Sequence, residues 1–296
     1  MSKNPKNKKS ETARLSVISN SVLIIIKVIA GLFGGSVSII SEAIHSGIDL
    51  VAALIAYFAV KISFKPADKE HPFGHGKYEN VSGVVEALLI FAAAIWIIFE
   101  AGRKFFESDR IIEDRGLEVG IAVMILSGII NFFVSRRLYK VAIETNSIAL
   151  EADALHLKTD IYTSLGVGLG LLLIRFTGLY FLDPIIAISV AVFILYEAYK
   201  LLLKAFNPLL DSSLDDKSVA EILDVAESNL PKNYKIDSFK TRYSGSTIFI
   251  QFSLLVPSDM LIKDAVEVRN NLSAKLKTDY PNAELIILLG EFNQCQ

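Results

Sequence analysis

Cysteine is almost missing from this chain of 296 residues: Cys295 stands alone, which excludes a disulfide framework and a cysteine-built zinc knuckle. Histidine is scarce too. Four are too few for a histidine-rich di-iron membrane oxygenase, and each can be weighed individually. Positive charge is not in excess, because 30 Lys and Arg face 32 Asp and Glu for a net charge of −2. With a pI near 6.1, a strongly basic nucleic-acid binder is ruled out. The chain also lacks a phosphate loop of the G-x-x-x-x-G-K-S/T type, so neither a nucleotide partner nor ATP as energy source is indicated. Beyond a Lys/Asn-rich start there is no low-complexity segment.

Apolar residues are abundant. They make up 52% of the chain, above the roughly 45–50% of soluble domains, and the mean hydropathy is +0.45. Charged residues still amount to 21%, so they are concentrated in particular regions. Residues 1–14 form a polar tail. The apolar run Leu15–Phe33 follows, 19 residues or roughly 28 Å as a helix, enough to cross a bilayer core of about 30 Å. It is too long for a signal-peptide core and no small-x-small cleavage site follows, so a retained span is expected. After Gly34 and Gly35 come Val37–Ile62, Val81–Phe99, Val119–Val134, Ile161–Phe176 and Leu182–Leu203. The fifth run is short unless it begins near Ile148.

Six spans within 15–210 place both termini on one side of the bilayer. The face with the termini carries twelve Lys and Arg, among them Lys61, Lys65, Arg136 and Arg137, and the opposite face carries five. The positive-inside rule therefore expects both termini in the cytoplasm. In a bacterium or archaeon the location is the plasma (inner) membrane. Residues 211–296 read as a small soluble α+β domain. Asp211–Asp216 is turn-like, Val219–Leu230 is helical and Leu261–Lys277 is an amphipathic helix. Ser246–Val256 alternates as a strand, with Ile248, Ile250, Phe252 and Leu254 on one face, and Glu284–Leu289 is a closing strand. The string is α-β-β-α-β, and a domain this small can depend on a partner chain.

The second span contains Glu42, His45 and Asp49, spaced i, i+3, i+7 and therefore on one helix face. An ionisable group near the bilayer centre costs several kcal/mol and is by default a functional hypothesis. The fifth span answers with Asp153, His156 and Asp160. Two antiparallel helices, each with His-x-x-x-Asp at mid-depth, can bring two imidazoles and two carboxylates to one point. Four N/O donors in a tetrahedron suit Zn²⁺. The competing reading is two separate polar pairs that serve helix packing. Asn20, Glu86 and Asn131 read as interhelical hydrogen-bonders. The remaining two histidines lie between the second and third spans, in Asp68-Lys69-Glu70-His71-Pro72-Phe73-Gly74-His75-Gly76-Lys77. Asp68, His71 and His75 fit an exposed metal site, and equally a structured turn in which Gly74 and Gly76 serve backbone geometry.

Three segments together resemble the cation diffusion facilitators, six-span homodimeric transporters of divalent transition metals. They are Ser41-Glu42-Ala43-Ile44-His45-Ser46-Gly47-Ile48-Asp49, then His71-Pro72-Phe73-Gly74-His75-Gly76-Lys77, and Ala152-Asp153-Ala154-Leu155-His156-Leu157-Lys158-Thr159-Asp160. The similarity runs from about Leu15 to Gly290. It implies a transport site of His45, Asp49, His156 and Asp160, and a loop site of Asp68, His71 and His75. It also implies an interlock between Lys77 and an acidic residue after the sixth span, here Asp211. Glu42 and Asp153, one turn from the site, would support it or relay protons. The C-terminal domain would be metallochaperone-like and dimerise in the cytoplasm.

The function expected is Zn²⁺/H⁺ antiport out of the cytoplasm, by a secondary transporter and not an enzyme. Metal binding needs neutral imidazole and ionised carboxylate, so loading expels protons and protonation releases metal. Histidine as a residue type titrates near 6.5, within the physiological range. One rival keeps the fold and carries Fe²⁺, Mn²⁺ or Co²⁺. Others are an intramembrane zinc-dependent hydrolase, which would want an open coordination position, and a non-transporting metal sensor. In the family, the cytoplasmic domain often adds a histidine-rich metal site. No histidine follows His156 here, and the corresponding positions are Ser253, Val266 and Leu289, so that domain is expected to bind zinc weakly.

Overall fold

Apolar backbone in a bilayer must satisfy its own hydrogen bonds, which leaves the α-helix as the form for each long hydrophobic run. The computed structural model describes residues 5–34, 37–106, 117–177, 182–231 and 233–291. Side chains within its helices are described except at 5–6, 31–45, 48, 104–106, 117–122, 124, 163–164, 166–177 and 182–184. The chain divides into two units, Met1–Phe206 and Asn207–Gln296.

The first unit consists of α1 (Pro5–Gly34), α2 (Val37–Ser63), α3 (Lys77–Phe106), α4 (Leu117–Thr145), α5 (Ile148–Thr177) and α6 (Leu182–Phe206). Helix α1 starts at Pro5, where a missing N–H costs nothing, so the polar start of the chain is already helical and Lys9, Thr12 and Ala13 are buried. The fifth helix does begin at Ile148 and takes in the polar stretch. Asn146, with φ +48°, turns the chain between α4 and α5. Among the described residues, Asn7–Ala30, Lys77–Arg103 and Ile185–Leu210 are long and apolar enough to cross a membrane.

Helix α5 sits between two apolar clusters. Its Ala149, Leu150, Ala154 and Leu157 join Val134, Leu138 and Val141 of α4 and Val60 of α2. Its Ile148 and Ala152 join Ala87, Ile90 and Ala94 of α3 and Ile194, Ala198 and Ala205 of α6. Small side chains let these helices approach closely. At Gly83 of α3 an added Cβ would stand 3.1 Å from Ala205 Cβ and 3.3 Å from Ile148. Leu15, Ile18, Val22, Ile25 and Ile29 form an exposed apolar stripe along α1, a surface made for lipid.

The second unit opens with a 3₁₀ turn, Asn207–Leu210, and continues as α7 (Asp216–Ser228), β1 (Lys235–Ser244), β2 (Thr247–Val256), α8 (Ile262–Asp279) and β3 (Ala283–Glu291). This is the expected α-β-β-α-β string. Asp215 caps α7 by accepting from Ser218 N at 3.0 Å. Strands β1 and β2 pair antiparallel through a two-residue turn whose first residue, Gly245, takes φ +58°. Strand β3 pairs parallel to β2 after the α8 crossover. Ile250, Phe252 and Leu254 are fully buried under α7 and α8, as the strand alternation predicts. Ser253, Val266 and Leu289 stand on β2, α8 and β3, and Cys295 lies outside the described residues.

Candidate metal-transport site

Helices α2 and α5 bring Asp49, His156 and Asp160 together, with one donor atom from each within 4.8 Å of the others. Asp49 and His156 are buried, and His156 Nε2 lies 3.1 Å from Asp49 Oδ1. His156 Nδ1 has no hydrogen-bond partner among the described residues. The main-chain oxygen of Asp49 accepts from Asn20 Nδ2 of α1 at 3.5 Å, which ties a third helix to this level. His45 and Glu42 belong to α2, but their side chains lie outside the described residues. Asp153 is completely buried and is not part of the cluster. Its carboxylate faces the Ser16 hydroxyl without completing a hydrogen bond.

Asp68, His71 and His75 form the second cluster, again within 4.8 Å of one another. His71 Nδ1 and His75 Nε2 lie 3.5 and 3.3 Å from the Asp68 oxygens, and the imidazole centroids are 4.5 Å apart. The turn makes the cluster. Asp68 Oδ1 accepts from His71 N at 2.7 Å and Glu70 N at 3.0 Å, while Gly74, at φ +81°, donates its N–H to the His71 carbonyl. The His71 N–H, with that of Glu70, holds the Asp68 carboxyl below its ordinary value, so it stays an anion. The two readings of this loop therefore coincide in space: the structured turn is what converges the three donors. His75 is buried and Asp68 is exposed.

Residues 13–210 match the family model described as the cation efflux transmembrane domain, and residues 214–288 match that of the cation efflux protein cytoplasmic domain. The chain belongs to the cation diffusion facilitator family. This facilitator is 36% identical to an uncharacterized transporter of Synechocystis sp. over 77% of its own length and 73% of that protein. It is 31% identical to the cation-efflux pump FieF of Yersinia pestis over 90% of its length and 87% of the pump. With the FieF pump of Shewanella oneidensis it shares 28% identity over 93% of its length and 91% of the relative. It is thus an integral membrane protein and a cation efflux transporter.

Several buried polar residues of the facilitator escape a reading by spans. Lys27 of α1, inside an apolar run, donates to Ser46 Oγ of α2 at 2.7 Å, one residue after His45. Its charge within the first span was the available signal. Lys9 of α1 pairs with Glu79 of α3 at 3.0 Å, both buried, and Glu79 also accepts from Ser63 and Ser147. No signal in the sequence joins Lys9 and Glu79, which are 70 positions apart. Glu86 departs from expectation. It is fully buried, within electrostatic reach of Asp153, and neither of its oxygens has a hydrogen-bond partner among the described residues. Asn131 Oδ1 is likewise without one. Within the second unit Asp211 accepts from Arg242 Nη1 at 2.7 Å, and in the first unit Lys77 opens α3.

Proposed function

We propose that this chain exports a divalent transition-metal ion, Zn²⁺ foremost, from the cytoplasm in exchange for protons, as a homodimer with both termini cytoplasmic. The observation that carries the reading is the group of buried Asp49 and His156 with half-buried Asp160 between two membrane helices, which His45 of α2 would complete. Two carboxylates compensate a dication in a low-dielectric interior, and imidazole selects a borderline-soft metal over Mg²⁺ or Ca²⁺. Each donor must lose its proton to bind, so the same residues exchange protons for metal. Rocking of α2 and α5 against their neighbours would open the group to one side and then the other. Asp68, His71 and His75 would gather metal at the cytoplasmic entrance. Dimerisation is supported by β3, whose Ile286 and Leu288 leave an apolar face of the sheet exposed.

The test is uptake into proteoliposomes of zinc, iron(II), manganese and cobalt in parallel, with and without an opposing proton gradient. Zinc uptake that collapses with the gradient is expected. Faster movement of iron would reassign the cargo, and flux indifferent to pH on both sides would overturn the antiport.

A further inference from the structure

A cleft of about 300 Å³ opens between α4, α5 and α6 at the end of the bundle where α5 begins and α6 finishes. Lys158 and Glu151 of α5, Glu197, Lys200 and Lys204 of α6 and the ring of Tyr139 of α4 line it. Glu151 and Lys158 are two turns apart on one face, about 10 Å of rise, and α6 runs past them in the opposite direction. At the outer end Lys204 Nζ donates to both Glu151 oxygens, at 2.8 and 2.7 Å. Next, Lys200 pairs with Glu197 at 3.1 Å. Lys158 is different. Its ammonium rests 4.2 Å from the centroid of the Tyr139 ring, with no carboxylate at ion-pair distance among the described residues.

Three lysines and two glutamates leave one surplus positive charge in the cleft, and it is furthest from the helix ends. Resting on Tyr139, that ammonium lies past Arg136 and Arg137 of α4, the basic pair expected at the cytoplasmic interface, at the level where lipid phosphates stand. The flanking helices indicate what kind of anion would reach it. Phe132 and Phe133 of α4 and Val192 and Phe193 of α6 are exposed on the same helices, a surface suited to acyl chains. An anion that reaches Lys158 across that surface carries hydrocarbon with it. Each ammonium has three N–H groups, so Lys200 retains donors beyond its carboxylate bond and can share a phosphate oxygen with Lys158. Glu151 and Glu197 would repel a soluble dianion more than a singly charged diester. Basic pockets between membrane helices are established places for such head groups.

We propose that this cleft binds the phosphodiester of an anionic phospholipid, with Lys158 as its main cation. The lipid would then lie against the flank of α5, the helix whose other faces carry His156 and Asp160, and would brace the helix during transport.

The test uses the full-length protein in nanodiscs of phosphatidylcholine mixed with phosphatidylglycerol, with lipid retention read by native mass spectrometry. Wild type should retain phosphatidylglycerol preferentially. Lys158→Gln should lower that preference about fivefold, the factor for one basic residue at the membrane surface, and Lys158→Arg should keep it. Lys217→Gln, on exposed α7, is the control and should change nothing. Equal retention by wild type and Lys158→Gln overturns the proposal, as does an equal loss in the control. Displacement of the lipid by millimolar inorganic phosphate would show a soluble-anion site instead. Retention is read without metal, so this result stands apart from the choice of transported ion.

Discussion

In the helical bundle, Asp49 and His156 meet across 107 residues of chain, whereas Asp68, His71 and His75 come from one short loop. The donor types are the same, carboxylate and imidazole. What differs is how the donors are held. The loop cluster needs only a turn, an Asp side chain accepting two backbone N–H groups and a glycine at positive φ. The bundle cluster exists only when α2 packs on α5, and its Asp49 and His156 are withdrawn from water. On the function proposed above, the same chemistry would be a gathering point in one place and a carrier in the other. Burial decides which.

The sharpest way to break this comparison is to remove one carboxylate from each cluster. Asp49→Ala and Asp160→Ala should each lower zinc flux in proteoliposomes by more than about a hundredfold, beyond the 10–100-fold typical of supporting groups, while the dimer still assembles. Near wild-type flux in either variant would dissolve the bundle site. A large structural effect is expected next, at Lys9. Lys9→Ala leaves Glu79 buried without its cation and should destabilise the bundle by about 3–5 kcal/mol in a reversible unfolding assay. A change near zero would mean that Ser63 and Ser147 suffice to hold Glu79.

Asp68→Ala should have a smaller effect, about threefold in flux at low zinc and none at saturation, because a gathering site raises local concentration without joining the carrier. An equal loss at all zinc concentrations would give the loop a role in the transport step itself. The smallest expected effect is at Asp215, the α7 cap. Ser218 holds its carboxyl below the ordinary value near 3.8, so its contribution is present above that value and lost as pH falls through the lowered one. Asp215→Ala should lower the thermal midpoint of the second unit by a few degrees at neutral pH, with the difference vanishing in acid. A pH-independent difference would assign the effect to helix propensity instead.

Much of the site was readable along the chain because its parts are local. The i, i+4 spacing of His156 and Asp160 sets them on one face of α5, and the loop donors lie within a single turn. Span lengths follow from bilayer thickness, and the strand alternation of 248–254 follows from the two-residue repeat. The loop could not be read as turn or metal site, because spacing does not tell how far Asp68 bends back toward its own chain.

The sequence by itself determined the six helices, the α-β-β-α-β tail and the chemical identity of the donors, since each depends on residues within a few turns of one another. Only the tertiary structure decided which charges meet. It keeps Asp153 out of the cluster although His156 is one turn away, brings Glu86 within its electrostatic reach, closes Lys9 onto Glu79, and leaves Lys158 beside a ring rather than a carboxylate. All four outcomes depend on which faces α5 and α3 turn toward their neighbours. That choice is made by close contact of small residues such as Gly83 and Ala205, and no single helix contains it.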